Sequence, residues 1–393
     1  MLIQIILFLL IGVFAGTLTG LIPGIHINLI GAILISLTAS IYINPIYSIT
    51  FVTSMAITHT FVDFIPSIFL GCSDTDTELS ILPGHELLKD KRGYEAINLA
   101  NKGSLIAIFL TIILIVPSFL FLEKSYSLIQ NFIPYLLILI SLILIFTEKK
   151  KFLGFFVLIF TGLLGFSVNT LEINQPLLPL LTGLFGASNI IISLKNKTQI
   201  PKQIISKSKV SIKRPIIGGI LTAPICSFLP GMGGGQAAII ANTLKRNSKK
   251  QFLVLLGIIN TLVMSFSFIS LYLIQKTRTG AALAINEISN ELNIEHIILI
   301  ISIIIISGIL AFFITDILSK YFAIKFEKIN YKFLSISTLI ILAIIVLIVS
   351  KGIGLIVLVI STLTGIYCIE LKVRRTQMMG VLIIPTIIWL LGG

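Results

Sequence analysis

Three groups of residues in this 393-residue chain have types and spacings that could bind or move small charged species. The first is His59, Thr60 and Asp63. Positions 59 and 63 are one helical turn apart and share a face, and inside a membrane helix a carboxylate beside an imidazole is suited to coupling a proton or sodium ion. The plainer alternative is that this helix ends early and leaves Asp63 at a wet boundary, since Asp74, Asp76 and Glu78 follow closely. The second group is Leu229-Pro230-Gly231-Met232-Gly233-Gly234-Gly235-Gln236. Four glycines beside a proline expose backbone N–H groups with no bulk over them. A helix starting near Gln236 would aim its unbonded N–H groups and positive dipole end at an anion. The third is Pro23-Gly24-Ile25-His26-Ile27-Asn28, where His26 and Asn28 stand in apolar surroundings. They either hydrogen-bond a neighbouring helix or bind a ligand, because an unpartnered polar group in hydrocarbon is costly.

The elements that must position these groups are membrane helices. The chain is 56% hydrophobic and 11% charged, with a mean hydropathy of +1.07, whereas soluble domains carry roughly 25% charged residues. Apolar runs fall at 2–22, 25–43, 47–70, 103–122, 131–147, 152–168, 176–194, 215–229, 231–243, 252–274, 295–317, 333–350, 352–369 and 378–391. Many match the ~20 residues that an α-helix needs to cross a bilayer core. Met1-Leu2-Ile3-Gln4 lacks a basic n-region, so the first run reads as a membrane helix and not a cleaved signal.

Runs 215–229 and 231–243 are short, and basic clusters flank the pair: Lys207, Lys209, Lys213 and Arg214 before, Lys245, Arg246, Lys249 and Lys250 after. Both ends therefore favour the cytoplasmic side, and the pair reads as a hairpin turning at Pro230-Gly231 within the membrane. With residues 2–43 as a like hairpin and both termini outside, the loops 71–102, 148–151, 195–214, 244–251, 318–332 and 370–377 face the cytoplasm. They then hold every Lys and Arg except Lys124, Lys276, Arg278 and Lys351. The net charge of +13 follows from this topology, and nucleic acid is not an expected partner.

The hairpins share a pattern. Gly12-x3-Gly16-x3-Gly20-x2-Pro23-Gly24 matches Gly219-x3-Ala223-x3-Ser227-x2-Pro230-Gly231, and downstream Thr60-Phe61-Val62 matches Thr261-Leu262-Val263. Small residues every fourth position let another helix backbone approach closely. The expected fold is an all-α integral membrane protein of two inverted-topology repeats, each a Pro-Gly-broken hairpin followed by about five transmembrane helices. Residues 1–194 form the first repeat, 195–214 a basic cytoplasmic linker and 215–393 the second repeat. A single isolated Pro-Gly would read as a mere kink.

Cys72, Cys226 and Cys368 show no Cys-x-x-Cys spacing and read as buried thiols, without a metal site or disulfide framework. The acidic stretch 71–78 lacks the glycine and terminal glutamate of an EF-hand loop and reads as a solvated loop. No hydrolase, zinc-protease or phosphate-loop signature supports an enzyme.

Gly16-x3-Gly20-x2-Pro23-Gly24, then Leu82-Pro83-Gly84 leading to Lys89-x-Lys91-Arg92-Gly93-Tyr94-x-Ala96, then Leu229-Pro230-Gly231-Met232-Gly233-Gly234, resembles the large membrane subunit of the tripartite tricarboxylate transporters over most of the chain. The resemblance implies solute uptake driven by an ion gradient, with a small membrane subunit and an extracytoplasmic solute-binding protein. Where bacterial members usually carry Tyr-Gly-Gly-Ser and an Asn-Asn run, this chain has His59-Thr60-Phe61-Val62-Asp63 and Asn260-Thr261, which looks more like the shorter archaeal relatives. The expectation is a secondary transporter for a small organic anion, with a carboxylate as the favoured class. The substrate site comprises Pro23, Gly24, His26, Asn28, Pro230, Gly231, Gly233, Gly234, Gly235 and Gln236. The coupling site for a proton or sodium ion comprises His59, Thr60, Asp63 and Asn260. No other cofactor is expected. Besides the substrate and the lipid bilayer, candidate partners are the two accessory subunits and a second copy in a homodimer. The alternatives are a translocator of an anionic lipid such as a polyprenyl phosphate, and a structural or assembly protein with closed hairpins.

Overall fold

The computed structural model describes residues 1–22, 44–70, 77–195, 201–229, 232–289, 292–325 and 331–392, and among these the ordered elements are all helices. Nine of them, counting merged runs once, are long and apolar enough to cross a membrane. The expectations placed on Pro23, Gly24, His26, Asn28, Pro230 and Gly231 lie outside the described residues, as do Cys72 and positions 71–76 of the acidic stretch.

Two helices form the centre. In the runs Pro45–Phe69 and Lys249–Ile274, 94% of the most apolar window is buried, against 22% for Leu2–Leu21. Both are firmly started. Asn44 Oδ1 accepts from the Ile46 backbone N–H at 3.0 Å with Pro45 in the first turn, the arrangement that satisfies an orphan donor and presets the helical φ. Ser248 and Gln251 exchange a capping box at 3.3 and 3.0 Å, which fixes the start of the second helix. Their buried hydroxyls turn back on their own helices: Ser54 to the Thr50 carbonyl, Ser265 to Thr261 and Ser267 to Val263. Such bonding keeps polar side chains affordable away from water.

The small-residue ladder does what its spacing predicts. Gly12, Gly16 and Gly20 lie directly against Phe51 and Ser54, Met55 and Thr58, and Val62 respectively, so that a Cβ at any of them would collide with the Pro45–Val62 helix. In the second half, helix Lys213–Cys226 runs along Lys249–Ile274, with Gly219 against Ile258 and the Ser227 carbonyl accepting from Ser267 Oγ at 3.4 Å. Outward faces carry Phe14, Phe109, Phe152, Phe313, Ile348 and Trp389, all more than half exposed. An apolar surface of that extent is what lipid covers.

Glycines in each half of the chain press on backbone carbonyls of the other. Gly165 sits under the Val381 carbonyl and Gly365 under the Leu184 carbonyl; Gly380 sits under the Leu158 carbonyl and Gly183 under that of Leu358. Gly103 and Gly257 form a further crossing, each pressed on the other helix at Val254 and Ala100.

The structure departs from the sequence expectation at residues 77–102 and 280–289. Residues 77–102, the described part of the loop expected over 71–102, include helix Ile81–Lys89 and the first turns of Gly93–Ile129, with Thr77, Tyr94, Glu95, Asn98 and Asn101 buried. A helix of 37 residues is about 55 Å long, well beyond a core roughly 30 Å thick. Its polar first turns are held by partners rather than by water. A helix at Gly280–Ser289 was unforeseen. The linker is docked: Gln203 Oε1 accepts from the Gly93 backbone N–H at 2.8 Å, and the Ile204 N–H donates to the Lys91 carbonyl at 2.8 Å. The expected break between 333–350 and 352–369 is present at Lys351, where φ 57° and ψ −160° interrupt the helical backbone. Cys226 and Cys368 are buried.

Candidate functional site

The two central helices meet at a polar junction. Thr60 Oγ1 and Thr261 Oγ1 are 3.0 Å apart. Thr60 also hydrogen-bonds the Ile57 carbonyl at 2.8 Å, and a hydroxyl has one proton. Thr60 therefore donates within its own helix and accepts from Thr261. Beside them, Asn260 Nδ2 donates to the Thr60 carbonyl at 3.2 Å and to Asp63 Oδ2 at 2.9 Å. No member of this group is more than 5% exposed.

Local structure explains the placement. Asp63 is the C-cap of helix Pro45–Val62 and precedes a second short helix, Phe64–Leu70. Its carbonyl accepts from the Ser67 hydroxyl at 2.6 Å, and Ser67 in turn contacts the Thr77 hydroxyl at 2.8 Å. Asp63 keeps right-handed helical backbone angles, the helical sense continues into Phe64–Leu70, and the residue is buried. His59, one turn earlier, is 2% exposed, and its Nδ1 lies 3.2 Å from Thr19 Oγ1 on the first helix. His59 and Asp63 are one turn apart, and the hydrogen bonds described for them run to Thr19 on the first helix and to Asn260 in the second half.

The glycine-rich group is also buried. Gly233 is extended (φ −110°, ψ 173°) and caps helix Gly234–Leu244, which starts two residues before Gln236. Gln236 Oε1 accepts from the Gly233 N–H at 2.8 Å, so part of the expected anion-facing side chain closes its own helix start. Its Nε2 is buried with no hydrogen-bond partner among the described residues. Gly233, Gly234 and Gly235 are all buried in the described structure. Among the described residues, hydrogen bonds join His59 to Thr19, Thr60 to Thr261 and Asp63 to Asn260, and Gln236 bonds at its own helix start.

Two polar clusters were missed. Asp316 accepts from Tyr94 Oη at 2.7 Å and Asn98 Nδ2 at 3.3 Å, and pairs with Lys320 at 2.6 Å. Glu95, 1% exposed, binds Arg92 through both oxygens at 2.7 and 2.8 Å, Lys250 at 2.8 Å and Ser206 at 3.0 Å. Both clusters tie the first half to the second. The available signal was Asp316 itself, a carboxylate inside the apolar run 295–317.

The fold and this junction define a polytopic helical membrane protein with a buried polar centre where its most enclosed helices cross. The chain belongs to the Tripartite tricarboxylate transporter TctA family, whose model matches residues 6–380. It is similar to an uncharacterized protein of Methanocaldococcus jannaschii, 35% identical over 360 residues, which is 88% of this chain and 89% of that one. No solved structure matches it. Family membership implies a membrane transporter component for tricarboxylates, working with partner subunits and a solute-binding protein.

Proposed function

We propose that this chain is the permease of a secondary active system for a small organic anion of the di- or tricarboxylate class. The junction of Thr60, Asp63, Asn260 and Thr261 is its coupling site. The observation that carries the reading is a buried carboxylate, two hydroxyls and a carbonyl from both halves converging on one spot between the central helices. Carboxylate, hydroxyl and carbonyl oxygens are the donors a hard cation takes, and a buried carboxylate equally serves a proton. His59, held by Thr19 at the first hairpin, links that site to the hairpin.

The anion sits between the hairpin tips, with Pro23, Gly24, His26 and Asn28 on one side and Pro230, Gly231, Gly233, Gly234, Gly235 and Gln236 on the other. Supporting this are the start of helix Gly234–Leu244 at the glycines and the unspent Gln236 amide beside it. A donor without a partner in an apolar interior is costly unless a ligand satisfies it.

The two halves are inverted repeats. In support, Gly165 to Gly365 and Leu158 to Leu358 are each a step of 200 residues, and Leu184 to Val381 and Gly183 to Gly380 each a step of 197, within contacts that exchange partners. Thr60 and Thr261, equivalent by sequence pattern, meet each other, as equivalent residues do on a two-fold axis. Rocking one structure against the other about that contact gives alternating access.

Replacing Gly234 or Gly235 with valine tests the anion site. Uptake of citrate into proteoliposomes containing the chain and its partner subunits should be lost while membrane insertion persists. Undiminished uptake would remove the glycines from the site.

A further inference from the structure

Asp316 stands inside the apolar run of helix Ile294–Lys325, and its surroundings lead from the edge of the bundle to the central junction. Its Oδ1 accepts from Tyr94 Oη at 2.7 Å and from Asn98 Nδ2 at 3.3 Å, while Oδ2 pairs with Lys320 at 2.6 Å. One side is partly uncovered: the Asp316 side chain is 17% exposed and that of Lys320 39%. The other side continues inward. Asn101 Nδ2 donates at 3.0 Å to the Phe312 carbonyl, which in helix geometry also accepts the N–H of Asp316 four residues on. Ser104, one turn further along helix Gly93–Ile129, donates at 3.2 Å to the Gly257 carbonyl, which likewise accepts the N–H of Thr261. Thr261 belongs to the junction where Asn260 binds Asp63.

Tyr94, Asn98, Asn101 and Ser104 therefore form one stripe of their helix, and none is more than 3% exposed. From Tyr94 to Ser104 the helix rises about 15 Å, or about half the thickness of a bilayer core. Polar residues in such a stripe can act as plain interhelical glue, and glue residues are satisfied by the bonds they make. Here Asn101 Oδ1 and Thr315 Oγ1 are buried without a hydrogen-bond partner among the described residues. Unspent oxygens beside an intramembrane carboxylate are costly unless something comes to them. The charges acting on Asp316 are those of Lys320 and of Lys207 in the linker. Lys102, the one charged residue between Glu95 and Ser104 in the chain, is partly exposed.

We propose that this stripe is the path by which the coupled cation, a proton or a sodium ion, moves between the Asp63 junction and the end of the bundle where the linker docks. Asp316 is the residue that receives and releases the cation at that end. The inference rests on the coupling-site reading. Lys320 is then the resident counter-charge: its Nζ holds Asp316 Oδ2 while no cation is there and gives way when one arrives. One cation replaces another on the carboxylate, so the charge of Asp316 is never left uncompensated, which would be strongly unfavourable. Carboxylate, amide and hydroxyl oxygens are ligands for a hard cation, and intramembrane carboxylates mark ion pathways and proton relays.

The test uses proteoliposomes holding the full chain and its partner subunits, with initial rates of citrate uptake measured under sodium and proton gradients separately. The gradient to which the parent protein responds tells sodium from proton. Asp316→Asn should cut the driven rate tenfold or more, and Asp316→Glu should keep at least half of it. Lys320→Met should lower the half-saturating concentration of the driving cation threefold or more, because the cation no longer has to displace an ammonium group. A purely structural ion pair would leave that concentration unchanged. The proposal is overturned if Asp316→Asn matches the parent, if Asp316→Glu is no better than Asp316→Asn, or if Lys320→Met leaves the half-saturating concentration where it was. A parent that responds to neither gradient fails the coupling-site reading and this inference with it. Any of the other failures, in a parent that does respond, removes the path alone.

Discussion

Thr60 and Thr261, 201 positions apart in the chain, touch hydroxyl to hydroxyl at 3.0 Å in the buried centre of the protein. Each stands in the same local pattern of its own half, Thr-Phe-Val and Thr-Leu-Val. The contact therefore joins two residues of similar local sequence, and Asn260 beside it binds Asp63 and the Thr60 carbonyl.

This contact should be measurable as a coupling. In a double-mutant cycle of Thr60→Val and Thr261→Val, read by thermal unfolding in detergent, the interaction energy should be about 1 kcal/mol, the usual net worth of one hydrogen bond. Strictly additive effects would mean that the hydroxyls do not meet.

The Gly103 and Gly257 crossing predicts a sharp positional contrast. A Cβ at Gly257 would run into the Ala100 carbonyl, which is backbone and cannot rotate away, while Gly352 has nothing within 4 Å. Gly257→Ala should destabilise by about 2 kcal/mol, and Gly352→Ala by less than about 0.5 kcal/mol. Melting temperatures of the two variants, measured side by side, check this.

Much of the architecture was legible in the residues, for physical reasons that also mark the limit. The ladder Gly12, Gly16, Gly20 declared a close helix approach because only missing side chains permit one, and the Pro45–Val62 helix lies there. The break near Lys351 was visible as a gap between apolar runs. Hydropathy misread residues 77–102 because it treats polar as wet, whereas Glu95 is sealed by Arg92, Lys250 and Ser206. Only Arg92 is a local neighbour; Ser206 comes from the linker and Lys250 from the second half, and no local pattern announces those two. Likewise the spacing of His59 and Asp63 showed a shared face, but not that one reaches Thr19 and the other Asn260.

Glu95 supplies a prediction of its own. Glu95→Gln removes a buried carboxylate while leaving Arg92 and Lys250 without their counter-charge, and should cost about 2 kcal/mol, below the full value for a sealed pair because both cations are partly exposed. Adding Lys250→Met should cost less than the sum of the single effects. Additive losses in thermal unfolding would contradict a shared network.

His85 predicts a pH dependence. Its folded pKa of about 4 lies below the ordinary 6.5, so the folded protein resists a proton that the unfolded chain accepts. Stability from the neutral ring is complete above about pH 6.5 and is lost as pH falls toward 4. His85→Gln should make the decline in melting temperature between pH 6.5 and 4.5 shallower than in the parent protein. Parallel curves would show that His85 titrates normally.

The most direct test of the coupling site is Asp63→Asn in proteoliposomes with the partner subunits, with proton and sodium gradients imposed separately during citrate uptake. The parent protein should accumulate citrate in response to one of the two gradients. Asp63→Asn should lose that response by at least tenfold while still exchanging citrate across the membrane without a gradient. Gradient-driven accumulation by Asp63→Asn at the parent rate would contradict the account.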